Sequence, residues 1–192
     1  MSPSAFPCWV FDLDGTLVPD NHDYAALKSA LGCPRTSGIL EWLATQPEPD
    51  RSAAEAQIDR WEAAHADAAT ALQDAVQLLD ALRSQRLGLF TRNTRAVAYR
   101  TLAAAGLAHR FHPDDVIGRD NAAAKPAPDG IHALLARWGA APADAVMVGD
   151  GRYDLLAGRA AGVFTVLVER DDHAADLAHL ADLRVHTLKA LL

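Results

Sequence analysis

The chain has 192 residues, 50% of them hydrophobic and 22% charged, with a formal net charge of −7. At about 100–200 residues per domain that length holds one domain, or one domain with a modest insertion, and the balance excludes a disordered tail protein. Eighteen Lys and Arg against 25 Asp and Glu, with no basic run, exclude the footprint of a nucleic-acid binder. No apolar stretch reaches the ~18 residues of a membrane span, so no membrane partner is expected. Cys8 and Cys33 are the only cysteines, too few for a disulfide framework, and read as buried free thiols. The start MSPSAFPCWV carries neither a basic n-region nor a signal-like apolar run. The expected setting is the cytoplasm.

In chain order, CWVF at 8–11 is a short apolar run that stops at DLDGT, the pattern of a buried strand ending in a turn. LGLF at 87–90 before TRNT, AVMVG at 145–149 before DGRYD and VFTVLV at 163–168 before ERDD share that grammar, and DVIG at 115–118 is a weaker case. Between them, leucine and alanine recur at three and four residue spacing over 71–85, 94–105, 129–138 and 152–161, which predicts helices. Strands alternating with helices predict an α/β fold, a Rossmann-like doubly wound parallel sheet, because parallel neighbours need crossover connections. Residues 20–70 break the rhythm with helical stretches near 23–31, 37–45 and 51–70, punctuated by Pro34, Pro47 and Pro49. They read as a small helical cap inserted after the first strand, so that 1–19 and 71–192 form the core domain and 20–70 the cap.

In such sheets ligands bind at the carboxyl ends of strands, where this chain carries DLDGT, TRN and GDGRYD. Asp12 and Asp14 lie one residue apart at a strand end, and Gly15 permits a backbone angle that other residues resist. Asp150 follows the next apolar run and Asp154 falls on the first turn of the following helix. Each pair also has an ordinary reading, as turn or helix caps. Together the four carboxylates would repel one another unless a cation sat among them, and an all-oxygen set suits Mg²⁺. Thr91 offers a hydroxyl and loop amides to a phosphate, and Lys125, in a segment that Pro126 should keep extended, offers a point charge. Alone, the first would be a turn residue and the second a solvated surface group.

The ordered set Asp12/Asp14, Thr91, Lys125 and Asp150/Asp154 resembles the haloacid dehalogenase-like hydrolase superfamily. The helical insertion and the GxxAG pattern at Gly158, Ala161 and Gly162 are similar to its phosphoglycolate phosphatase-like branch. The resemblance implies a Mg²⁺-dependent phosphatase of a small-molecule phosphate monoester. Asp12 would be the nucleophile, Asp14 the acid and base, and Mg²⁺ would be held by Asp12, the backbone carbonyl of Asp14 and Asp150. Thr91, Arg92 and Lys125 would bind the phosphate, with Gly15, Asn93 and Asp154 in support. An acid at position 14 favours a phosphate ester over the superfamily's dehalogenases, which have no alkoxide to protonate.

Arg92 departs from the small residue that many relatives carry after the threonine; it either meets a second anionic group of the substrate or pairs with a surface acid. Asp20, His22 and Arg35 are candidates for reading the leaving group, while Trp42, Trp61 and His65 fall on helical patterns, where the tryptophans read as packing between cap helices. The eight histidines show no spacing that supports zinc. The expected partner is a small phosphorylated metabolite, with phosphoglycolate or a sugar phosphate as the candidates, and the expected state is a monomer or homodimer. A sugar-phosphate phosphotransferase and a non-catalytic binding protein are the alternatives.

Overall fold

A computed structural model of the chain describes residues 6–170, 177 and 179–192. Six parallel strands form one sheet in the order β3-β2-β1-β4-β5-β6. They are β1 (Cys8–Phe11), β2 (Arg86–Phe90), β3 (Val116–Ile117), β4 (Ala145–Gly149), β5 (Phe164–Val168) and β6 (Leu183–Val185). The helices are α1 (Tyr24–Leu31), α2 (Ile39–Leu43), α3 (Asp50–Ala66), α4 (Gln73–Ala81), α5 (Arg95–Ala104), α6 (Asp129–Trp138) and α7 (Arg152–Ala161).

The apolar strand runs cover both sheet faces because successive residues point to opposite sides. Trp9 and Phe11 join Leu89, Val146 and Val148 under α4 and α5, which contribute Leu78, Leu79, Ala98 and Leu102. Cys8 and Val10 join Phe90, Ala145 and Met147 under α6 and α7, with Ile131, Leu134, Leu135 and Ala157. The doubly wound α/β sheet expected from the alternation is therefore present. Both cysteines are free and buried.

Several boundaries differ from the sequence expectation. α4 covers only Gln73–Ala81 of the expected 71–85, since the chain turns before β2. α2 shrinks to Ile39–Leu43 after Gly38, and α3 stops at Ala66. β6 has no counterpart among the expected strands: three residues at a sheet edge are too short to carry an apolar pattern. Lys125 lies in a turn with a cis bond to Pro126, not in an extended segment.

Helices α1–α3 lie between β1 and α4 in the chain. The buried Leu27, Leu43 and Ile58 of these helices, and Cys33 of the loop after α1, belong to neither face of the sheet core. Charge pairs join the segment to the rest: Arg119 meets Glu62 at 2.9 Å and Asp59 at 2.7 Å, and Arg100 meets Asp67 at 2.5 Å. The Arg119 guanidinium also donates to the carbonyl of Arg92 at 2.9 Å. Glu62 is pushed up to about 7, by burial before all else, with Arg119 opposing.

Candidate active site

β1, β2 and β4 are adjacent, so the loops after them converge at the carboxyl edge of the sheet, where its strand order reverses. The loop after β1 turns back on itself, Gly15 N donating to Val18 O at 2.8 Å. Gly15 sits at φ +78°, and a Cβ there would lie 2.0 Å from Asp150 Oδ2. The conformation and the close approach both require glycine. This contact brings the two acidic loops together.

Asp12, Asp150 and Asp154 each place a carboxylate oxygen within 4.8 Å of the others. Lys125, 2% exposed, is held between two of them, its Nζ 2.5 Å from Asp12 Oδ1 and 2.5 Å from Asp154 Oδ1. Asp154 also accepts from Gly151 N at 2.9 Å, which ties the start of α7 to the same carboxylate. Burial raises the Asp12 carboxyl well above its ordinary value, Asp154 adds to the rise, and Lys125 opposes it. Asp150 is pushed up to about 7 by burial first and then by Asp154. For Lys125 burial works against the charge, but the two carboxylates outweigh it and raise the ammonium pKa. Three carboxylates against one ammonium leave excess negative charge in a partly buried place. An oxygen-only donor set of that kind fits a hard divalent cation such as Mg²⁺.

Asp14 lines the same cavity, but its carboxylate belongs to a different cluster. Its Oδ2 accepts from Asn93 Nδ2 at 2.8 Å, and its Oδ1 lies 4.0 Å from His22 Nδ1. Burial is the main reason its pKa is raised. His22 is held by Asp20 at 2.7 Å; burial lowers its pKa, yet the two acids beside it give a net rise. Thr91 is buried, with its Oγ1 accepting from Asn93 N at 3.2 Å.

Arg92 is heavily committed. Its Nη2 donates to both carboxylate oxygens of Glu41 of α2, at 2.9 and 3.0 Å, and the guanidinium donates to the Lys125 carbonyl and lies over the Tyr153 ring at 4.0 Å. Of the two readings of Arg92, pairing with an acid is the one this geometry displays. Asp12, Asp14, Asp20, Thr91, Arg92, Asn93, Lys125, Asp150 and Asp154 thus all line one cavity of about 170 Å³. Arg35 and Trp42 line neither this cavity nor the one beside it, whereas Trp61 stacks near His22 and His65, with ring centroids 4.9 and 4.4 Å apart.

The sequence reading missed Tyr24, Glu41, Glu62, Tyr153, Arg119 and Arg170. Arg170 donates to the carbonyls of Gly15 at 2.9 Å and Thr16 at 3.1 Å while pairing with Asp74 of α4, so it clamps the loop after β1 from below. Arg119 and Arg170 each lie two residues past a strand, at Ile117 and Val168, and their place at the carboxyl edge was the available signal. A larger cleft of about 640 Å³ lies near the start of β2 and is lined by Arg83, Arg86, Arg110 and Arg137. Arg110 pairs there with Asp80, and Arg137 with Asp114 and Asp115, which consumes much of its positive charge.

Residues 7–162 match the model of a hydrolase family, the haloacid dehalogenase-like hydrolases. An uncharacterized hydrolase of Saccharomyces cerevisiae is 31% identical over 83% of this chain and 76% of its own length. The phosphoglycolate phosphatase of Rhodospirillum rubrum is 31% identical over 92% of this chain and 85% of its own. Among solved structures, a haloacid dehalogenase-like family hydrolase from Deinococcus radiodurans, with bound phosphate and sodium, superposes with a TM-score of 0.71 at 25% identity. That match covers 97% of this chain and 93% of that one. The chain belongs to the haloacid dehalogenase-like hydrolase family. No helix among the described residues is long and apolar enough to cross a membrane.

Proposed function

We propose that the chain is a Mg²⁺-dependent phosphatase that hydrolyses the phosphate monoester of a small molecule through an aspartyl-phosphate on Asp12. The observation that carries this reading is the buried Lys125 ammonium, 2.5 Å from Asp12 in a cluster of three carboxylates at the strand ends. The cluster supplies a nucleophile, a fixed cation and a metal-type donor set in one place. The chain is a phosphoric monoester hydrolase, in keeping with the names its relatives carry.

An Asp12 carboxylate oxygen attacks phosphorus in line, and the bond from phosphorus to the ester oxygen breaks. Protonated Asp14 gives its proton to the departing alkoxide; its raised pKa favours the acid form needed for this step. Asp14, now a carboxylate, takes a proton from the water that attacks the phosphoryl group. The bond from phosphorus to Asp12 then breaks and inorganic phosphate leaves. Asn93, 2.8 Å from Asp14, orients that carboxyl group. Thr91 and Lys125 hold the transferring oxygens, and Asp154 keeps Lys125 in place at 2.5 Å. Asp12, Asp150 and the Asp14 carbonyl would hold Mg²⁺, which supplies charge neutralisation between carboxylate and phosphate. Residues 20–70, which carry helices α1–α3, act as a cap over this edge of the core.

Phosphate release from an aryl phosphate, with and without Mg²⁺, tests the reading. Turnover should require Mg²⁺ and fall at least about 10³-fold in Asp12→Asn, the scale expected when a covalent nucleophile is lost. Equal turnover by the variant would sink the covalent route, and none by the wild type would sink the phosphatase.

A further inference from the structure

A second cavity, of about 510 Å³, opens beside the catalytic one. Tyr24, Arg92, Asn93 and Tyr153 line both, so the two cavities are immediate neighbours across these four side chains. The catalytic cavity alone, at about 170 Å³, is smaller than the ~300–1,000 Å³ of ordinary ligand sites and holds little beyond a phosphoryl group. Of the cavities that share walls with it, the second is the larger, at about 510 Å³ against about 130 Å³ for the one beside Asp14 and His22, and it is the space with room for the rest of the substrate.

The walls of that space are mainly apolar and aromatic, with Thr36, Ser37 and Glu62 as polar members beside Lys28, Arg92 and Asn93. Leu27 and Ile58 are buried, Ile39 and Leu40 of α2 are half-buried, and Trp61 and Tyr153 supply rings. Trp61 is locked in an aromatic array with centroids 4.9 Å from His22 and 5.7 Å from Tyr24, so it is pre-organised as a flat wall. Tyr24, 42% exposed, is one of two exposed large apolar residues among those described. A two-carbon acid would need a free cation close to the phosphorus. Arg92 is the one cation among the four side chains at the junction, and Glu41 neutralises it while Tyr153 covers its face. Lys28 lines the second cavity but not the catalytic one, and its Nζ donates to Arg35 O at 3.0 Å.

We infer that the leaving group is an alcohol bearing an aromatic or heteroaromatic ring, seated between Trp61, Tyr24 and the aliphatic side chains of α1–α3, and is not a short carboxylic acid. This rests on the phosphatase reading above and specifies its substrate class.

The test compares kcat/KM of the wild-type enzyme with Mg²⁺ on 2-phenylethyl phosphate, ethyl phosphate and phosphoglycolate, three esters of unactivated alcohols. The ring should raise kcat/KM at least tenfold over ethyl phosphate and over phosphoglycolate. In Leu40→Asp, a half-buried position checked for folding by circular dichroism, the ratio of phenylethyl to ethyl ester should fall at least tenfold. Phosphoglycolate turned over as well as or better than the phenylethyl ester overturns the inference and leaves the phosphatase standing. No Asp12-dependent turnover of any of the three overturns both. If the variant does not fold, the wild-type comparison decides.

Discussion

Replacing Lys125 with methionine keeps an unbranched side chain, one heavy atom shorter, and removes its charge. The ammonium touches Asp12 and Asp154 at 2.5 Å each, and Lys125 is 2% exposed, so both carboxylates lose their buried counter-ion. Removing one member of a buried pair costs about 3–5 kcal/mol, a large part of the ~5–15 kcal/mol that holds a typical domain together. Part of that cost is recoverable by taking up a proton. Burial and Asp154 already hold the Asp12 carboxyl above its ordinary value with Lys125 opposing, and the variant loses the opposition. Its folded state therefore binds protons that its unfolded state releases, and stability rises as pH falls. Urea unfolding in EDTA should show a deficit of about 3 kcal/mol or more at pH 8, smaller at pH 5.5. A variant within about 1 kcal/mol of wild type at pH 8, or a deficit that does not shrink on acidification, would refute the account of Lys125 as the counter-ion of the cluster.

The metal-free wild type should show a related trend through Asp150, whose folded pKa is raised to about 7. Between the ordinary Asp value of about 3.9 and that figure the folded state binds more protons, so stability should decline as pH rises through the window. Mg²⁺ should then raise Tm more at pH 8 than at pH 5, read by scanning calorimetry; an equal shift at both would contradict a metal held by Asp150. Gly15→Ala places a Cβ 2.0 Å from Asp150 Oδ2 on a backbone at φ +78°. It should cost about 1–2 kcal/mol of left-handed strain alone. By displacing Asp150 it should also weaken Mg²⁺ activation at least tenfold, and an unchanged Mg²⁺ titration would count against the contact.

The sheet was legible because its central strands are buried on both faces and read as unbroken apolar runs, each stopping at a polar loop. β6 was not, since Leu183–Val185 is three residues with exposed Arg184 in the middle. Asp12, Asp14, Thr91 and Asp150 stood out for the same reason as the strands, each following an apolar run at a strand end. Glu41 stood out in no pattern, and Arg119 and Arg170 only by lying two residues past a strand end. What they do depends on partners distant in the chain: 155 residues separate Arg170 from Gly15, and 51 separate Arg92 from Glu41.

By itself the sequence determined the alternation of strand and helix, the family resemblance and the acids that gather at one edge, because periodicity and short motifs are local properties of a chain. Only the tertiary structure decided that Lys125 is buried between two carboxylates, that Asp14 turns to Asn93 and His22, and that Glu41 occupies Arg92. The long-range pairing of charges, and the walls of the space beside them, arise from packing between segments whose meeting no local pattern encodes.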